Sequence, residues 1–177
     1  YPDQVPVYRD SPLAARPLSD HQYTLMDGDK LADLAIARIP ARTPEDLEAA
    51  LAKIQRYEEE AAPGPWRSRN LFVLDDESVF AAAADGIRDC FESAAAKVDT
   101  IRQADYPYKH LFRNFDRKQA PQATEELIRQ LAAGALTTCF LGHGGPNIWT
   151  GERLLYLDDV ARLENAAAPT FLAVGSC

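Results

Sequence analysis

Three short runs of apolar residues, each continuous and not alternating, constrain this chain more than any other feature. They are Asn70-Leu71-Phe72-Val73-Leu74, Leu136 to Leu141 and Thr170 to Val174. A strand that is apolar on both faces must be covered on both, and a mostly parallel sheet with helices on each side does this. The stretches between the runs supply the helices. Thr43-Pro44-Glu45-Asp46 opens one, with Thr as N-cap, Pro at the first helical position and acids in the first turn. Leu47, Leu51, Ile54 and Tyr57 continue it at helical spacing until Pro63-Gly64-Pro65 stops it. Ser78 is placed to cap a second helix, which runs to about Ala96 through Phe80, Ile87 and Phe91. A third is expected over residues 121–133, stopped by Gly134, and a short one over Asp158–Glu164.

Two further strands are expected. Asp33–Ile39 alternates apolar and small residues and ends at Pro40, and Lys97–Arg102 has the look of another short strand. The order is then strand–helix four times with a final strand, an α/β pattern. Residues 1–22, with prolines at 2, 6, 12 and 17, form an extended lead-in, and residues 104–118 read as loop. At 177 residues the chain has the length of one domain, here 23–177 after the lead-in.

Composition removes several function classes. Nineteen basic and 27 acidic side chains leave a net charge of −8, the wrong sign for a phosphate backbone or an anionic membrane surface. No apolar run approaches the roughly 20 residues of a membrane span. The start, Tyr1-Pro2-Asp3-Gln4, lacks the charged and apolar regions of a signal peptide. Three cysteines make no disulfide framework, and histidines at 21, 110 and 143 have no metal-ligand spacing. Asp27, Asp29 and Asp33 are the one acidic turn in which calcium is conceivable, although such turns are usually just solvated.

Chemistry in such sheets gathers at the carboxyl ends of the strands. Three of these ends carry reactive groups: the acids Asp75-Asp76-Glu77, His143 and Cys177. Cys90 and Cys139 lie in a helical and a strand-like segment and read as small buried hydrophobes. Cys177 and His143 end two strands joined by one crossover, and if those strands are neighbours a thiol and a base project from one edge. Glycines on both sides of His143 let the backbone turn sharply and leave amide N–H groups open to an oxyanion. A phosphate cradle at Gly142–Gly145 would need a following Lys and a clean helix start, and has neither.

These residues resemble a known family, the gingipain-type cysteine peptidases of the caspase-like fold clan. Three blocks carry the resemblance. Asp27-Gly28-Asp29 with Asp33-Leu34-Ala35-Ile36-Ala37-Arg38-Ile39-Pro40, and the helix ending Tyr57-Glu58, is similar to the family's Gly-Arg-(Phe/Ile)-Pro strand and Tyr-Glu helix, with Ala37 in place of the usual Gly. Gly142-His143-Gly144-Gly145 with Trp149 is similar to its Gly-His-Gly and following Trp. Asp158-Asp159-Val160, Leu163-Glu164-Asn165 and Pro169-Thr170-Phe171 are similar to its approach to the catalytic cysteine, here Cys177.

The resemblance implies a caspase-like catalytic domain over 23–177, incomplete at both ends, that cleaves protein or peptide substrates through a thioester. Cys177 is then the nucleophile, His143 the general base and acid, and the N–H groups of Gly144 and Cys177 the oxyanion hole. The third, acidic member falls among Asp75, Asp76 and Glu77, with Glu77 favoured by ungapped matching and Asp76 next. Trp149 is expected at the rim of the substrate cleft, and Asp85 and Asp89 lie near where an acid selecting Arg or Lys would sit. Export to the envelope or medium is implied by the family alone. The competing readings are a sortase-like transpeptidase of the same family and a silent caspase-like scaffold. A doubly wound domain binding a small anion is a third.

Overall fold

The computed structural model describes residues 20–61, 63–93, 96–110 and 118–176. Two compact units make up the chain, one ending at Ile54 and the other beginning at Gln55. In the first, a short 3-10 turn at His21–Thr24 leads into irregular chain and then helix α1 (Pro44–Glu59), which runs across the boundary. Thr43 caps α1 as its sequence predicts. Its hydroxyl accepts the Asp46 N–H at 3.2 Å, and the Asp46 carboxylate accepts the Thr43 N–H in return.

Asp33–Ile39 is not a strand, contrary to the sequence expectation. Among the described residues the segment has no ladder partner; its contacts include the Asp33 N–H to the Thr24 carbonyl, the Met26 N–H to the Asp33 carboxylate, and a two-pronged contact from Arg38 to Asp20. Leu34, Ile36 and Ile39 are exposed. Alternation alone describes a surface that could pair; only a neighbouring strand makes it a sheet.

The second unit is built on a four-stranded, wholly parallel sheet. Strands β1 (Arg69–Leu74), β2 (Lys97–Arg102), β5 (Thr137–Leu141) and β9 (Phe171–Gly175) lie in the order β2-β1-β5-β9. Residues 71 to 74 are fully buried, because the pleat sends alternate side chains into two separate cores. Leu71 and Val73 join Ile101 and Phe140 under helix α3 (Pro121–Ala132), against its Ala123, Leu127 and Leu131. Phe72 and Leu74 point the other way, against Ala81, Ala84 and Phe91 of helix α2 (Ser78–Ser93). Helices therefore cover both faces, as the continuous apolar run requires.

Two expectations for this unit are corrected. The run at 170–174 is not a buried strand: among the described residues β9 is an edge, and Phe171, Leu172 and Val174 stay exposed. Within the stretch read as loop, β3 (Lys109–His110) pairs antiparallel with β4 (Lys118–Gln119). After β5 the chain forms a small antiparallel sheet of β6 (Gly144–Gly145), β7 (Ile148–Trp149) and β8 (Leu155–Tyr156), followed by a 3-10 turn at Leu157–Arg162. Among the described residues no helix is long and apolar enough to cross a membrane.

Candidate active site

The connection leaving β1 goes to β2 on one side, while β5 enters on the other side of β1. Strand order thus reverses between β1 and β5, and the carboxyl ends of those two strands flank the natural crevice of such a sheet. Asp75, Asp76 and Glu77 leave β1 at this point, and Gly142 and His143 leave β5 beside them.

The three acids do different things. Glu77 Oε1 lies 3.2 Å from His143 Nε2, and both side chains are half-exposed. Asp76 turns away. Its Oδ2 accepts hydrogen bonds from Lys118 Nζ at 2.8 Å and from the Tyr108 hydroxyl at 3.0 Å. Partial burial pushes the Asp76 carboxyl up, but the Lys118 and Tyr108 hydrogen bonds outweigh it and hold the group below the ordinary carboxylate range. The same contacts, after burial, push the Tyr108 hydroxyl well above its usual value, and the Asp76 hydrogen bond raises the Lys118 ammonium. Asp75 is buried. Its Oδ2 accepts the His143 backbone N–H at 2.9 Å and its Oδ1 the Asp76 N–H at 2.8 Å.

His143 has a further neighbour that sequence reasoning missed. The Phe80 ring, from the first turn of α2, stands edge-to-face with the imidazole at 5.2 Å and 89°. An aromatic three residues after the acid loop is the only signal that pointed to it. Tyr108 and Lys118 were missed too, because they lie in the stretch without periodicity.

The flanking glycines work by close approach and not by an unusual turn. Gly134 is the only described glycine with positive φ, so neither Gly142 nor Gly144 needs the left-handed region. A Cβ at Gly142 would lie 2.8 Å from the Asp75 Cβ and from the Phe140 ring, and one at Gly144 would lie 2.5 Å from Ser176 Oγ. The second contact brings the turn after β5 against the end of β9. Leu141 pairs with Gly175 in the ladder, and the Gly142 N–H reaches the Gly175 carbonyl at 3.3 Å. Cys177 itself lies outside the described residues.

Trp149 stacks on Phe140, with ring centres 4.2 Å apart and planes within 3°, while its backbone pairs with Gly144. Its indole is thus part of the apolar cluster beneath the hairpin. Asp85 and Asp89 sit on α2. Cys139 is partly buried in β5, and burial raises its thiol pKa, which keeps it protonated and slow to react.

For a cation, Asp27 and Asp29 cap backbone N–H groups of their own turn, and Asp33 accepts the Met26 N–H. The three do not converge on one point. Among the described residues the acids that do converge are Asp75, Asp76 and Glu152, within 4.8 Å of one another. Lys118 already neutralises part of that charge, from 2.8 Å on Asp76 and 3.6 Å on Glu152.

A parallel sheet in the order β2-β1-β5-β9, with helices on both faces, is the α/β architecture of a caspase-like fold. The chain belongs to peptidase family C25, the gingipain family, whose model matches residues 2–177, essentially the whole chain. It is a cysteine peptidase, a hydrolase acting on protein or peptide substrates. No curated protein and no solved structure matches it.

Proposed function

We propose that the peptidase works through a dyad of Cys177 and His143, with Glu77 orienting the imidazole. The observation that carries this reading is the ladder pair Leu141↔Gly175. In the sequence His143 and Cys177 each follow a member of that pair by two residues, and this equal offset from adjacent parallel strands supports the reading. Such strands run about 4.8 Å apart, within reach of a thiol–imidazole contact.

The Glu77 carboxylate can only accept, so the ring proton belongs on Nε2 and the basic lone pair on Nδ1. In this scheme Nδ1 takes the Cys177 proton, and the thiolate adds to the scissile carbonyl carbon. The N–H groups of Gly144 and Cys177 bind the resulting oxyanion. The imidazolium then gives its proton to the leaving amine, the C–N bond breaks, and a thioester remains. Water, deprotonated by the same imidazole, adds to the thioester, and collapse releases the acid and returns the thiol. Loss of one oxyanion donor costs on the order of 10²–10³ in rate.

The test combines labelling and mutation. A peptidyl chloromethyl ketone should alkylate Cys177, located by mass spectrometry, and Cys177→Ala should abolish turnover while the fold persists. Preferential labelling of Cys90 or Cys139, or full activity in Cys177→Ala, overturns the reading. Product analysis with an added amine separates hydrolysis from transpeptidation.

A further inference from the structure

We propose that Asp75 is a positioning residue for His143: its buried carboxylate clamps the histidine's backbone amide to the end of β1, and this fixes where the imidazole stands. The inference rests on His143 being the dyad base and assigns Asp75 no contact with substrate. Its starting point is a mismatch of strengths. The Glu77–His143 contact is the one seen by the imidazole, yet both partners are half-exposed, and such pairs hold their geometry weakly against water and salt. Something else must fix the ring.

The backbone of His143 is held at both of its polar groups. Its N–H donates to Asp75 Oδ2 at 2.9 Å, and its carbonyl accepts the Thr150 N–H at 2.8 Å. The Asp75 contact is the buried one, with that residue only 4% exposed. Asp75 also donates its own N–H to the Leu141 carbonyl at 3.0 Å, and its Oδ1 accepts the Asp76 N–H. One residue thereby ties the end of β1, the start of the acid loop and the turn after β5 into a single unit. Hydrogen bonds to a buried charged acceptor are the strong kind, and here both carboxylate oxygens are used. Gly142 makes room for the clamp, because any Cβ there would collide with the Asp75 Cβ.

With the backbone fixed, the ring has two guides, Glu77 on Nε2 and the Phe80 edge-to-face contact. Both come from the same loop and first helical turn that Asp75 anchors. Freeing the clamp lets the imidazole drift from both, and a displacement of about 1 Å at a reacting group costs roughly 10²-fold.

The test uses Asp75→Asn and Asp75→Ala in the full chain. Asn keeps the shape but offers one acceptor where the carboxylate offers two, and Ala removes both. The expected result is a kcat, counted per alkylatable Cys177, that falls in the order wild type, Asn, Ala, by about 10²-fold in Ala. KM should stay within a factor of about three, since substrate contacts are untouched. A merely structural role would instead lower the alkylatable fraction and leave kcat per site alone. The second readout needs no turnover: nuclear Overhauser contacts between the Phe80 and His143 rings, strong in wild type and weakened in both variants. Ring contacts undiminished in the variants, or an unchanged kcat per site, overturn the inference. Where Asp75→Ala does not fold, Asp75→Asn decides by the same criteria. Should the wild type cleave no peptide, the dyad reading fails, and the ring contacts still decide whether Asp75 positions His143.

Discussion

Asp76 and Glu77 are adjacent in sequence, equally acidic, and both within a short reach of β5, yet their partners give them opposite roles. Glu77 faces the imidazole from a half-exposed position, where a water-accessible contact of this kind is worth about 0–1 kcal/mol. Glu77→Gln should therefore lower kcat by only about fivefold, read in steady-state assays against a peptide ester and the matching amide. Asp76 is committed to Lys118 and Tyr108, so its loss should appear in stability. A carboxyl whose folded-state pKa is lowered contributes stability above its ordinary pKa and loses it as pH falls through the lowered value. Asp76→Asn should therefore cost about 1–2 kcal/mol at pH 7, and the difference from wild type should shrink once the pH falls below the ordinary value of 3.8, for instance at about pH 2. Urea unfolding at the two pH values measures it. A gap that stays constant would mean the lost contacts do not depend on the carboxylate's charge.

At the level of elements, Arg69 shows how the sheet is pinned at the end away from the chemistry. At the start of β1 its guanidinium bonds Asp99 of β2 at 2.5 Å, the Gln130 side chain, and the Gln130 and Gly134 carbonyls at the end of α3. Arg69→Ala should cost about 1–2 kcal/mol, because it removes the bonds to the Gln130 and Gly134 carbonyls, of which Gly134 is buried, while Asp99 stays partly exposed and keeps Lys97 at 3.4 Å. Thermal unfolding reads this cost, while kcat per alkylatable Cys177 should be unchanged. What the sequence made legible follows the same division between buried and exposed elements. β1 was readable because both faces are buried, so its residues carry no polar alternation to confuse the pattern. The cap of α1 was readable because Thr43 and Asp46 satisfy each other locally. Asp33–Ile39 misled because alternation describes a face and carries no information about a partner strand. β9 misled in the opposite way, since its apolar run predicts cover that its edge position does not supply. In the site, His143 and the acid loop followed from strand ends alone. The division of labour among Asp75, Asp76 and Glu77 did not, because it depends on Lys118 and Tyr108, which come from 32 and more residues away.

Across the whole chain, burial is distributed unevenly, and that predicts where the molecule opens first. From residue 20 to Ile54 the only buried residue is Thr24, and the apolar side chains Met26, Leu31, Leu34, Ile36 and Ile39 are exposed. From Gln55 onward, Leu71, Phe72, Val73, Leu74, Leu127, Phe140 and Leu154 are all fully buried. Opening free energy tracks buried apolar contact and shielded hydrogen bonds, so local unfolding should be graded along the chain. Native-state hydrogen exchange should therefore find the amides of β1 and β5 protected to the level of global unfolding. Amides of residues 25–43 should exchange through far smaller openings, and limited proteolysis should cut there first. His143 and Glu77 hang from the ends of β1 and β5, so their scaffold belongs to the most protected part of the chain. Exchange in β1 and β5 as fast as in residues 25–43 would mean that the sheet is not the stable core. Equal protection of residues 25–43 and β1 would mean that the first unit draws stability from contacts its exposed surface does not reveal.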